Sequence, residues 1–330
     1  MKVTILGSGT SQGVPVIACK CEVCCSPDPR DKRLRASVLI ESGGKTIIID
    51  TGPDFRQQML RENVQSLDAI LFTHEHKDHT AGMDDIRSFN YIKQRPMDVY
   101  AEPIVIDSLR KEFAYVFAEK KYPGVPQVEL HVMENKPFMV DGMDIIPIRA
   151  MHYKLPIMGF RIGDFAYITD ANYIAAEEME KLIGTHHLVI GALRKQKHIS
   201  HFSLDEALHI IRELSPRRAY ITHIGHQMGR HEAVQKELPQ GVYLALTEWS
   251  SICKASVPGI LCLSARRYST TVTPPSTRKV TPATRNAAAS VYFPAYQPRK
   301  GPMTAKRIRI IKLLTDSTVA LTSEVVRRLI

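Results

Sequence analysis

The run Thr73-His74-Glu75-His76-Lys77-Asp78-His79 places three imidazoles and a carboxylate within six positions. Such side chains are costly to bury unless they bond to something, and nitrogen and carboxylate donors at this spacing suit a divalent cation. The first expectation is therefore a metal site that includes His74, His76, Asp78 and His79. A second cluster, Cys19-Lys20-Cys21-Glu22-Val23-Cys24-Cys25, has a C-x-C-x-x-C spacing that lets one turn of chain wrap a tetrahedral zinc, with a fourth ligand from elsewhere. Cys253 and Cys262 lie far away. In a reducing compartment a thiol cluster this tight points to metal rather than to a disulfide framework; the alternative is four free cysteines.

Elements must deliver these groups. Ala69-Ile70-Leu71-Phe72 is a buried strand that ends on Thr73, and α/β sheets present their chemistry at strand C-termini. Val3 to Leu6 is another short strand. It stops at Gly7-Ser8-Gly9-Thr10-Ser11-Gln12-Gly13, either a plain turn or an anion-facing loop, without a P-loop's Gly-Lys-Ser/Thr ending. Residues 36–40 and 46–50, parted by Gly43-Gly44, form a hairpin ending in Asp50. That carboxylate is open to two roles, capping a helix over 54–62 or bracing a metal loop. Further helices are expected at 104–119 and 175–182, and further strands at 143–149, 188–191 and 218–222. Ser203 and Glu206 make a capping box for a helix through Leu214, with His201 in the loop ahead of it.

The motif H-x-H-x-D-H resembles the signature of the metallo-β-lactamase superfamily. The resemblance implies further ligands, and the sequence contains residues at their places. His74 and His76 with His152 would hold one metal, Asp78 and His79 with His223 the other, and Asp170 would bridge them. Asp50 would be the superfamily's strand-end aspartate, behind the ligands. The implied fold is α/β, a four-layer αββα sandwich, over residues 1–248, which the alternation of hairpins, strands and helices also fits.

His226 follows His223 by three residues and, with Cys19, Cys21 and Cys24, would complete a Cys₃His zinc site. That site together with His201 is similar to the phosphoribosyl 1,2-cyclic phosphate phosphodiesterase subgroup, over residues 1–245. In that subgroup a histidine at the place of His201 acts near the scissile phosphate. Cys25, His186, His187, His198 and His209 match no motif.

The net charge of +10 is unevenly placed: residues 249–330 hold 14 Lys and Arg against Asp316 and Glu324, a balance of +12, and the remainder balances at −2. The body therefore lacks the basic bias of a nucleic-acid binder. Residues 268–305 are rich in Thr, Ser, Pro and Ala and cannot bury a useful core, so 249–330 reads as a disordered basic tail, with amphipathic helical periodicity at 305–314 and 319–330. Back-translating Thr247-Glu248-Trp249-Ser250 one base earlier gives an Asp-Gly type ending, as in the subgroup. Residues from about 246 onward are accordingly expected to be a frameshift product, the competing reading being a basic nucleic-acid- or membrane-binding extension. The start of the chain lacks a secretory signal, and no stretch reaches the roughly 20 apolar residues of a membrane span, which suggests the cytoplasm and no membrane partner.

The expected function is a binuclear phosphodiesterase. Two zinc or manganese ions would bring the pKa of a shared water towards about 7, so that hydroxide attacks the phosphorus of a small or cyclic phosphodiester. Asp78 and His201 would act directly, His201 by stabilising charge or protonating the departing alkoxide. Rival readings are a tRNA 3′-end endonuclease, a thioester hydrolase of the glyoxalase II type, and a non-catalytic metal-binding scaffold. The partner is a small molecule, and a homodimer is compatible with all of these.

Overall fold

A computed structural model describes residues 1–246 and the backbone of 249–252. The chain opens with β1 (Lys2–Gly7), crosses the cysteine loop, and forms the hairpin β2 (Ser37–Ser42) and β3 (Lys45–Ile49). There follow α1 (Phe55–Arg61), β4 (Ala69–Leu71), α2 (Lys77–Thr80), α3 (Arg87–Lys93), β5 (Met97–Ala101), α4 (Pro103–Glu112), α5 (Ala114–Phe117) and β6 (Val128–Val132). The second half holds β7 (Phe138–Val140), the long hairpin β8 (Met143–His152) and β9 (Leu155–Ile162), then β10 (Phe165–Ile168), β11 (Tyr173–Ile174), α6 (Ala176–Glu180) and β12 (His187–Gly191). It closes with α7 (Leu204–Leu214), β13 (Arg218–Thr222), α8 (His231–Glu237), β14 (Val242–Leu244) and β15 (Trp249–Ile252).

One sheet runs β15-β1-β2-β3-β4-β5-β6; the other runs β11-β8-β9-β10-β12-β13-β14, with β7 on β8. The side-chain pattern of β3 shows why the sheets stack. Ile47 and Ile49 face a core shared with Met158, Phe160, Tyr167 and Tyr220 of the second sheet, whereas Ile48 faces the helices with Phe55, Phe89 and Leu109. A strand covered on both sides is apolar without interruption. The outer face of the second sheet packs Ile190 and Ile221 under Ala207, Ile210 and Ile211 of α7. The order is helix, sheet, sheet, helix, as expected.

The expected helix over 104–119 is two pieces, because Phe113 leaves helical geometry (φ −107°, ψ 42°) while its ring stays buried. The capping box of α7 is present, with Ser203 N–H donating to Glu206 Oε2 at 2.8 Å. The fold extends past the limit expected at residue 248: β15 pairs antiparallel with β1, Lys2 opposite Ile252 and Ile5 opposite Trp249. The rest of the expected tail, 253–330 with its helices at 305–314 and 319–330, lies outside the described residues. Among the described residues no helix is long and apolar enough to cross a membrane.

Candidate active site

The parallel strands β3, β4, β10, β12 and β13 bring their C-terminal ends to one end of the sandwich, and the expected site residues stand there. Asp50 follows β3, Thr73 to His79 follow β4, His152 ends β8, Asp170 follows β10 and His223 follows β13. Asp50, Tyr153, Asp170 and His223 all have positive φ, at 65°, 58°, 57° and 54°. That backbone is unfavourable for a side-chain-bearing residue and persists where the surroundings over-determine it. Here it turns each chain sharply as it leaves its strand.

Asp50 organises the buried side of the site. Its Oδ1 accepts Thr73 N–H at 2.9 Å, and its Oδ2 accepts the Thr73 hydroxyl at 2.9 Å and His79 Nδ1–H at 2.7 Å. Because the Thr73 hydroxyl donates to Asp50, its oxygen is free to accept His74 Nδ1–H at 3.0 Å. Both imidazoles therefore commit Nδ1 to the protein and aim Nε2 at the centre. His152 does the same by donating Nδ1–H to Ser200 O at 2.8 Å. Of the two roles open to Asp50, capping a helix is not the one it takes: Asp54 holds the N-cap position of α1, without a side-chain cap bond, and its carboxylate accepts from Arg35.

Close backbone packing holds the histidine loop against the Asp50 turn. Thr51 N–H donates to His79 O and Gly82 N–H to Thr51 O. A Cβ on Gly52 would lie 2.0 Å from Asp78 O, and one on Gly82 2.1 Å from Gly52 O. Only glycine permits that approach.

Two groups of ligand atoms converge. Asp78, His79, Asp170 and His223 form one, with atoms within 4.8 Å of one another. In it His79 Nε2 is 3.1 Å from Asp78 Oδ2 and 3.2 Å from Asp170 Oδ2, and His223 Nε2 is 3.0 Å from Asp170 Oδ1. His152, Asp170 and His201 form the other. The His74, His76 and His152 rings gather beside it, 4.6 to 5.8 Å apart between centroids. Asp170 belongs to both groups. His201 comes closer to Asp170 and His152 than expected of a residue acting on substrate alone; its ring also stacks on His223 at 4.9 Å.

Charge and burial suit a cation. The Nε2 atoms of His74, His79 and His223 are buried without a hydrogen-bond partner, a costly state for atoms with no other use. Burial disfavours charge on Asp170 and on His79. The His223 and His79 rings nevertheless hold Asp170 well below the usual carboxylate range, while Asp50, Asp170 and Asp78 draw the His79 pKa well above its ordinary value. The carboxylates thus pull onto His79 the positive charge that a bound cation would supply. Burial, aided by His223, pushes His201 down to about 3, so its ring is neutral.

The cysteine loop forms a second centre. The sulfurs of Cys19, Cys21 and Cys24 lie 3.3, 3.4 and 3.5 Å from His226 Nδ1. Tetrahedral bonds of about 2.3 Å to sulfur and 2.0–2.1 Å to nitrogen would set S and N about 3.5 Å apart. The four donors have the spacing of a structural zinc site, and exposed Cys25 stands outside it. A further grouping, Asp98, Glu129 and His131, lies on the neighbouring strands β5 and β6, where Arg95 already pairs with Asp98 at 2.7 Å.

A family model described as a β-lactamase superfamily domain matches residues 45–224, more than half of the chain. The chain belongs to the β-lactamase superfamily. Members are metal-dependent hydrolases, and the solved structure of a diphosphatase from the PhnP family is 39% identical, covering 77% of this chain and 98% of its own, with a TM-score of 0.72. This superfamily chain is also 43% identical over 246 residues to an octanoyltransferase of Porphyromonas gingivalis. That match takes in 74% of this chain and half of the relative's own length. Zinc-bound PqqB from Methylobacterium extorquens shares the fold at 18% identity and a TM-score of 0.61, over 77% of this chain and all of its own.

Sequence reasoning did not single out the Thr73 hydroxyl, the Ser200 carbonyl, Gly52 or Asn172. Thr73 adjoins the histidine motif, a signal that was available. The other three act through single contacts between distant segments, a carbonyl, a bare Cα and an amide side chain, which leave no pattern in sequence.

Proposed function

We propose that this chain is a phosphodiesterase whose binuclear metal centre acts on a small or cyclic phosphodiester. The observation that carries the reading is the convergence of six imidazoles and Asp78 on Asp170, three of the rings presenting buried Nε2 atoms without a hydrogen-bond partner. His74, His76 and His152 would hold one metal and Asp78, His79 and His223 the other, shared through Asp170. Zinc or manganese suits such nitrogen and oxygen donors, and the thiols of Cys19, Cys21 and Cys24 with His226 would select zinc. Bound there, two divalent cations would make a water nucleophilic near neutral pH and offset charge on the phosphoryl oxygens.

The protein's own groups do the rest. Asp78, whose Oδ2 stands 3.1 Å from His79 Nε2 and 3.7 Å from His223 Nε2, would help to hold and orient the attacking water. The neutral His201 ring would donate its N–H to a phosphoryl or departing oxygen. Asp50 and Thr73 keep His79 and His74 in the tautomers that face the centre. Support for a phosphorus ester over a carbon ester comes from the PhnP-family diphosphatase. Acyl thioester chemistry is the second reading, favoured by the name of the octanoyltransferase relative, half of whose length has no counterpart in the match. The −2 balance of residues 1–248 supports a small substrate over an RNA.

A panel of bis-p-nitrophenyl phosphate, a ribose cyclic phosphate, a diphosphate diester and an octanoyl thioester, assayed with zinc or manganese, decides between these readings. We expect diester turnover that falls about 10²–10⁴-fold in His201→Ala without loss of folding. Turnover of the thioester alone would overturn the reading.

A further inference from the structure

We propose that Asn172 is a positioning residue that locks two walls of the site, the hairpin carrying His152 and the loop carrying His201, to the Asp170 turn. The inference rests on the reading of a metal-dependent centre at Asp170. Asn172 follows that aspartate by two residues and sends three bonds in three directions. Its backbone N–H donates to Met151 O at 2.8 Å. Its side-chain Oδ1 accepts Tyr153 N–H at 2.7 Å, and its Nδ2 donates to Ile199 O at 3.2 Å.

Two neighbouring bonds complete a ring. His152 Nδ1 donates to Ser200 O at 2.8 Å, and Phe202 N–H donates to Ala171 O at 2.7 Å. Segments 151–153, 170–172 and 199–202 are thereby tied pairwise, and each carries one group of the centre: His152, Asp170 and His201. Apart from the His152 ring bond, the side-chain bonds in this ring belong to Asn172.

The chemistry demands an amide. At this place the side chain must accept from one wall and donate to the other, which neither an aspartate nor an alanine can do. The bond to Tyr153 also matters because Tyr153 holds φ at +58°, a conformation that is unfavourable for a residue with a side chain and needs external support. The bond to Ile199 O fixes the carbonyl next to Ser200 O, on which the tautomer of His152 depends. Released, His152 can turn its ring and withdraw Nε2 from the centre. Asn172 is therefore set to act on one half of the centre and to leave Asp78, His79 and His223, which lie on other segments, in place.

The test is cobalt(II) titration of the full chain, followed by visible absorption, with wild type, Asn172→Ala and Asn172→Asp. Besides the cobalt held by Cys19, Cys21, Cys24 and His226, which its thiolate charge-transfer band identifies, the expected result is two tightly bound cobalt ions at the Asp170 centre of the wild type and, in both variants, one of these two retained and one weakened about 10–100-fold, at unchanged thermal midpoint. Asn172→Asp keeps the acceptor and should fall between the other two. With bis-p-nitrophenyl phosphate, kcat should drop by a similar factor while KM stays within about twofold. Equal affinities in all three proteins overturn the proposal, as does equal weakening of both cobalt ions with a lowered thermal midpoint, the mark of a merely structural residue. A wild type without a second tight cobalt at that centre overturns it together with the binuclear reading. A wild type that binds two cobalt ions there but turns over no diester overturns the phosphodiesterase reading alone, since the cobalt titration still decides the part played by Asn172.

Discussion

Asp50 is fully enclosed and faces no solvent, yet it bonds to both histidines on the buried side of the site. Through Oδ2 it bonds directly to His79 and, by way of the Thr73 hydroxyl, governs His74. Removing the relay tests that arrangement. Thr73→Val keeps the shape of the side chain and the N–H bond to Asp50, but frees His74 Nδ1. Activity or metal affinity should fall about 10–100-fold, with folding intact by circular dichroism; a variant indistinguishable from wild type would show that His74 is held by packing alone. The ligand candidates within 74–79 were legible because His and Asp at H-x-H-x-D-H spacing are expensive without a metal, whereas His152, Asp170 and His223 stood out only through the resemblance to the superfamily. The residues that orient them were less so, since a threonine or a carbonyl is ordinary in any strand end and gains its meaning from a partner 23 positions away, as Thr73 does from Asp50.

At the scale of elements, two loops far apart in sequence are fastened at several points. The cysteine loop meets His226, and five residues further on His231 accepts from buried Arg33 Nη2 at 3.1 Å while its own N–H bonds to Asp31. Burial, and then the Arg33 charge, push the His231 pKa down to about 4. The folded protein thus keeps His231 neutral where the unfolded chain, near 6.5, takes up a proton. The associated stability is complete above about pH 6.5 and is lost as pH falls towards about 4, amounting to about 1–3 kcal/mol. Urea midpoints of wild type and His231→Gln, compared from pH 7.5 to 5, should converge as the pH drops; parallel curves would remove His231 as the cause. Elements with a strong local signal were legible, among them α7 through its capping box and β13 at its observed limits. The sequence reading passed over β5, β6 and β9. The first two alternate apolar with charged or polar residues near an edge, and β9 is defined mainly by its long pairing with β8.

For the whole molecule, the four layers were legible because strands apolar on both faces require cover on both faces, as Ile47, Ile48 and Ile49 illustrate. The limit of the body was not, because the change in composition after residue 245 hides a strand that has a partner. That strand, β15, lies along the outer flank of β1. Its consequence concerns crowding between molecules. An uncovered β1 would present a ladder of free N–H and C=O groups, the template from which strand-by-strand aggregation grows. A chain cut after residue 246 should scatter light and lose monodispersity on warming, whereas one cut after residue 252 should remain as well behaved as the full chain; equal behaviour of the two would deny β15 this part. A short stretch remote from the metal-binding motifs would then serve to keep one copy of the protein from sticking to the next.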